Sequence, residues 1–156
     1  MTVEVAVPRA EDMRALGEAL AAIVQPGDLV VLTGDLGAGK TTLTQGIGAG
    51  LGVSGDVLSP TFVIARVHRG GRIPLVHADA YRLHSVEEID DLDLDASLEE
   101  SVTVVEWGAG LVERLAGDLL EVRIVRAADD GDETRFVTLH PVGESWAERV
   151  EDVAHG

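Results

Sequence analysis

Leu29-Val30-Val31-Leu32-Thr33-Gly34-Asp35-Leu36-Gly37-Ala38-Gly39-Lys40-Thr41-Thr42 is the stretch on which the reading of this chain turns. Its first four residues are an uninterrupted apolar run, the pattern of a short strand buried on both faces. Gly34 to Gly39 make a glycine-rich loop, and Lys40–Leu51 carries Leu43, Ile47 and Leu51 at helical spacing. From Gly34 to Thr41 the residues satisfy G-x-x-x-x-G-K-[ST], the phosphate-binding loop pattern, in the strand-to-helix context that its mechanism requires. The glycines let the loop wrap tightly enough for successive N–H groups to face one anion. The following helix aims its positive end and unpaired N–H groups at the same point. In such a loop Lys40 reaches the β- and γ-phosphates of a nucleotide, and the Thr41 hydroxyl ligates Mg²⁺. Asp35, Leu36, Gly37, Ala38, Gly39, Lys40, Thr41 and Thr42 are therefore the expected nucleotide cradle.

Composition narrows what surrounds this cradle. The 156 residues fit one domain, and 46% of them are apolar, with aromatics at only 3%. A core of Val, Leu and Ala suits parallel strands covered by amphipathic helices. The expected fold is α/β: a mixed, mainly parallel sheet of the phosphate-binding-loop class, flanked by helices and closed by a C-terminal β-hairpin. The absence of cysteine excludes disulfides and thiolate metal sites. No basic leader, 18-residue apolar run or lipidation motif is present, so a cytoplasmic protein without membrane attachment is expected. A net charge of −16 repels phosphate backbones, which argues against direct binding of DNA or RNA. Eleven of the twelve basic residues are Arg, and the only lysine is Lys40.

Outward from the loop, residues 2–7 alternate and read as a strand. Residues 9–24 read as an amphipathic helix through Met13, Leu16, Leu20, Ile23 and Val24. Residues 62–68 and 72–77 read as a hairpin around Arg69-Gly70-Gly71, with Pro74 pointing to an edge position or a bulge for the second strand. Residues 85–98 read as helical pieces and 111–115 as a short helix. Residues 102–105 are a second buried strand, ending at Glu106-Trp107. Leu119–Arg126 and residues 135–140 form the terminal hairpin, and the tail after Pro141 reads as a frayed helix. One domain, 1–156, accommodates all of this without a linker.

A phosphate-binding loop needs an acid at the end of a neighbouring strand to hold Mg²⁺ or its water. Val102-Thr103-Val104-Val105-Glu106 supplies Glu106, with a merely solvated strand-terminal acid as its alternative. Asp79, in His77-Ala78-Asp79-Ala80-Tyr81-Arg82, is a second candidate for the metal or the attacking water, with a plain surface turn as its alternative. His77 alone reads as structural more often than catalytic. Thr61, in Ser59-Pro60-Thr61-Phe62, lies where enzymes of this class often keep a threonine that senses the γ-phosphate. There is no asparagine and no second lysine, so the N-K-x-D segment that reads guanine is absent and ATP is favoured over GTP.

Taken together and in order, Gly34 to Thr42, Ser59-Pro60-Thr61-Phe62, His77-x-Asp79-x-Tyr81-Arg82 and Val105-Glu106-Trp107 closely resemble the TsaE (YjeE) family. Its members are small bacterial ATPases required for threonylcarbamoyladenosine in tRNA. The resemblance implies ATP and Mg²⁺ as ligands, with Lys40 on phosphate, Thr41 and Glu106 on the metal, Asp79 assisting metal or water, and Thr61 sensing the γ-phosphate. It sets Trp107 close to the nucleotide, with a packing role equally open. It also implies a partner, the TsaD–TsaB complex that carries out the transfer, so that tRNA is met only indirectly. Two departures stand out: Met13 occupies a position where the family more often has Thr, and Gly131-Asp132 replaces a Gly-Arg pair of the last hairpin. Residues that contact the base are accordingly left unassigned.

Two further points bear on function. Six of the nine residues from Glu87 to Asp95 are acidic, which suits either a docking surface for a basic partner or a solvated face. A small-molecule kinase built on the same loop is the alternative enzyme. Many such kinases clamp the transferred phosphoryl group with a basic lid, and residues 83–100 hold no Arg or Lys. A nucleotide-sensing module without catalysis is the third reading.

Overall fold

The computed structural model of the chain describes residues 2–34, 39–53, 65–68, 70–79, 100–106, 118–126 and 134–155. The elements run β1 (Val3–Val7), α1 (Ala10–Ile23), β2 (Leu29–Gly34), α2 (Lys40–Leu51), β3 (Ala65–His68), β4 (Leu75–Asp79), β5 (Val102–Glu106), β6 (Leu119–Arg126), β7 (Arg135–Val142) and α3 (Glu144–His155). The seven strands form one sheet in the order β1-β7-β6-β2-β5-β4-β3. It is parallel through the centre, where β2 lies between β6 and β5 and β4 follows β5. At both margins it turns antiparallel: β3 on β4 at one side, β6-β7-β1 at the other. The mixed α/β fold and the C-terminal hairpin expected from sequence are present. The segments read as helical at 85–98 and 111–115 lie outside the described residues.

Burial explains the central position of β2 and β5. Leu29, Val30, Val31 and Leu32 are all buried, as is every residue of β5. Strand alternation divides them between two faces. Val30, Leu32, Val102, Val104, Leu120, Val122, Val137 and Leu139 join one core with Leu16 and Leu20 of α1, Leu43 and Ile47 of α2, and Trp146 and Val150 of α3. The three helices therefore share one side of the sheet, while Leu29, Val31 and Val105 are buried on the other.

Helices α1 and α2 touch backbone to backbone. A Cβ on Gly17 would come within 2.4 Å of the Leu43 carbonyl oxygen, and one on Gly46 within 2.3 Å of the Arg14 carbonyl oxygen. No side chain fits at those distances, so the glycine pair sets how closely α2 lies against α1. The guanidinium of Arg72 donates to the Ala21 and Val24 carbonyls and so occupies the bare C-terminal end of α1.

Two sequence expectations change here. Pro74 lies just before β4, which is interior, flanked by β3 and β5. Proline lacks an N–H, so the ladder begins at Leu75, while the Pro74 carbonyl still accepts from Val102 N at 3.0 Å. The tail after Pro141 is ordered as α3 and packed, with Trp146 fully buried. Arg149 anchors it through a bidentate ion pair with Asp28, at 2.6 and 3.1 Å, and a bond to the Ile23 carbonyl at 2.9 Å. The same guanidinium stacks 4.0 Å from the centre of the Trp146 ring. Among the described residues, no helix is long and apolar enough to cross a membrane.

Candidate functional site

The carboxyl ends of β2, β4 and β5 lie side by side, the edge of a parallel sheet where ligands collect. Strand β2 ends at Gly34, and the chain re-enters the described structure at Gly39, the residue before α2. Gly39 adopts φ 115° and ψ 14°, a left-handed conformation that L side chains rarely take. A Cβ there would also press on the Met13 methyl at 3.1 Å, so α1 backs this corner of the loop.

The start of α2 lacks the usual fittings. Among the described residues no side chain caps it, as none caps α1, but its first turn also contains no acidic residue, whereas α1 begins with Glu11 and Asp12. A helix without its own anion keeps its leading N–H groups and its positive end available to an external one. Lys40 is buried at 6% exposure, and its ammonium donates to the Gly34 carbonyl at 2.6 Å. That bond ties the end of β2 to the first residue of α2 and holds the cation inside the loop's span. The Thr44 hydroxyl in turn donates to the Lys40 carbonyl at 2.9 Å.

From β5, Glu106 approaches the same helix end. It is 4% exposed, and its Oε1 receives the Thr41 hydroxyl at a long 3.5 Å. Asp79 ends β4 and is the registered neighbour of Glu106 across the parallel pair. The structure describes the backbone of Asp79 but not its side chain. Beneath them is His77, fully buried, with Nε2 3.5 Å from Glu106 Oε2.

Of the residues singled out from sequence, Gly39, Lys40, Thr41 and Glu106 come together, Thr42 follows in the first turn of α2, and Asp79 is adjacent through its backbone. Asp35, Leu36, Gly37, Ala38, Thr61 and Trp107 lie outside the described residues, as does the acidic run at 87–95. His77, read from sequence as structural more often than catalytic, lies in the same place. The two-residue step to Asp79 puts both on one face of the strand. Among the described residues no group of three or more His, Asp or Glu could hold a metal. The oxygens at hand, a hydroxyl and a carboxylate beside a helix N-terminus, suit a hard cation that keeps most of its water, as Mg²⁺ does.

Comparison with known proteins gives one family. Residues 7–136 match the sequence profile of TsaE, the threonylcarbamoyl adenosine biosynthesis protein. The tRNA threonylcarbamoyladenosine biosynthesis protein TsaE of Streptomyces coelicolor is 60% identical over 139 residues, covering 86% of this chain and 94% of that protein. The protein of the same name from Bacillus subtilis is 39% identical over 145 residues, covering 92% and 89%. The crystal structure of YdiB from Bacillus subtilis superposes with a TM-score of 0.81 at 32% identity, over 99% of this chain and 95% of that one. With a profile spanning most of its length and relatives this similar end to end, the chain belongs to the TsaE family.

Proposed function

We propose that the chain binds Mg²⁺–ATP at the Gly34-to-Thr42 loop and hydrolyses it in support of threonylcarbamoyladenosine formation in tRNA. The observation that carries this reading is the uncapped start of α2, with the ammonium of Lys40 drawn back to Gly34 and the Thr41 hydroxyl turned to Glu106. Backbone N–H groups and Lys40 neutralise the β- and γ-phosphates. Thr41 and Glu106, with Asp79 beside them, hold the metal position. When bound, Mg²⁺ offsets charge on the terminal phosphate and orders water around it. Glu106 and Asp79 accept hydrogen bonds from that water, and Thr61 senses the terminal phosphate. The family resemblance gives Trp107, next in sequence to Glu106, a role beside the nucleotide or in packing. The absence of an N-K-x-D segment favours ATP.

The place in the pathway is supported by the names of the relatives. Acting in the cytoplasm, the chain works on the TsaD–TsaB complex, which performs the transfer. Its net charge of −16 supports contact with tRNA only through that complex. The test is phosphate release from ATP by the purified chain, alone and mixed with TsaD–TsaB. It is paired with rescue of a bacterium lacking its TsaE protein, scored by modified adenosine in tRNA. Slow hydrolysis alone, altered by the complex, and rescue that Lys40→Ala abolishes are expected. No binding or hydrolysis under either condition would overturn the reading, and phosphate transfer to a metabolite would point to a kinase.

A further inference from the structure

His77 lies at the base of the site, and no step of the nucleotide reading uses it. In the β4–β5 register it sits opposite Val104, one alternation below the Asp79–Glu106 pair and on the same face. The ring is fully buried, and neither nitrogen makes a hydrogen bond among the described residues. A neutral imidazole always carries one N–H, and a buried donor left unpaired is destabilising. An apolar side chain of similar size would fill the space without that cost, so packing alone does not account for an imidazole here.

The facing group does. Glu106 has two carboxylate oxygens approached from two different elements. Oε1 meets Thr41 Oγ1 of α2 at 3.5 Å, and Oε2 meets His77 Nε2 of β4 at 3.5 Å. A glutamate at a strand end turns about three bonds, and contacts on both oxygens define the plane of its carboxylate. At 3.5 Å the His77 contact lies just beyond ordinary hydrogen-bonding distance.

We propose that His77 is a positioning residue, whose neutral imidazole donates from Nε2 to Glu106 Oε2 and so directs Oε1 toward Thr41 and the metal position. This rests on the nucleotide reading of the site given above. Removing a group that orients a metal-holding carboxylate lowers metal affinity by about tenfold or more.

The test is the Mg²⁺ concentration needed to support binding of a non-hydrolysable ATP analogue, followed by calorimetry. His77→Leu keeps the volume and loses the donor, whereas His77→Gln keeps an N–H near the Nε2 position. His77→Leu is expected to raise the Mg²⁺ requirement about tenfold or more, with analogue binding in EDTA unchanged. His77→Gln is expected to keep the wild-type requirement. In a Glu106→Gln background, His77→Leu adds nothing further. A His77→Leu chain with the wild-type Mg²⁺ requirement overturns the proposal, as does an equal loss in both variants accompanied by an equal fall in melting temperature.

The tautomer of His77 in the wild-type chain, read from ¹⁵N–¹H correlations of the ring, is the second measurement and needs no variant to fold. The proton on Nε2 is expected, and a proton on Nδ1 overturns the proposal. A wild-type chain that bound no nucleotide would overturn the reading of the site, while the tautomer would still decide the His77–Glu106 contact.

Discussion

Two polar clusters lie at the two ends of β2, and they are built in opposite ways. Below the strand, Asp28 has both oxygens engaged, by Arg149 at 2.6 and 3.1 Å and by the Gln25 N–H at 2.6 Å. Arg149 is further held by the Ile23 carbonyl, Ser145 and the face of Trp146. Above the strand, among the described residues, Glu106 meets Thr41 and His77 at 3.5 Å, His77 makes no hydrogen bond, and α2 starts without a side-chain cap. The lower cluster is closed, and its geometry is that of a fastener. The upper one is equally buried but slack, which burial would penalise unless something else completes it. The nucleotide and metal proposed above would complete it.

The difference can be broken from either end. The largest effect is expected from Glu106→Gln, which keeps the shape but loses the charge proposed above to hold the metal and its water. Hydrolysis should fall by about a hundredfold or more while nucleotide still binds, as paired turnover and binding measurements would show. If the substitution left turnover intact, the upper cluster would be no more than a packed acid. Next comes Arg149→Met, which strands the Asp28 carboxylate in a largely buried place. It is expected to cost about 3 kcal/mol in denaturant unfolding, without changing the Mg²⁺ requirement for nucleotide. A loss of nucleotide binding in proportion to stability would erase the distinction between the two ends.

Gly46→Ala acts between them. Its methyl would collide with the Arg14 carbonyl and push α2 away from α1. About 2 kcal/mol of destabilisation is expected, together with weaker nucleotide binding, because α2 carries Lys40 and Thr41. The smallest effect is expected from Arg123→Ala. That side chain is 66% exposed, and its 2.7 Å pair with Glu121 is screened by water. No measurable shift in melting temperature should follow, which would set the scale against which the buried Asp28–Arg149 pair is judged.

Much of this layout was legible from the sequence. The apolar run 29–32 and the glycine–lysine–threonine pattern gave β2 and α2 because both signals are local: burial on two faces, and a motif whose mechanism demands a strand before and a helix after. The nearness of Lys40, Thr41 and Glu106 follows from the same local signals. What escaped was set by distant contacts. The packing of α3 depends on Arg149 reaching Asp28, 121 residues away in sequence, and no periodicity signals that. The interior place of β4 depends on β3 covering its far edge, which a lone Pro74 could not reveal. His77 looked ordinary because its meaning lies in the neighbouring strand: the parallel register that brings Glu106 over it becomes visible only when β4 and β5 are side by side.

The most direct measurement is calorimetric titration of the wild-type chain and Lys40→Ala with a non-hydrolysable ATP analogue in Mg²⁺. A single saturable site per chain is expected, with affinity about a hundredfold weaker once the ammonium is removed. Equal affinity in the two chains would mean that the nucleotide is held somewhere other than the start of α2, and would contradict the account.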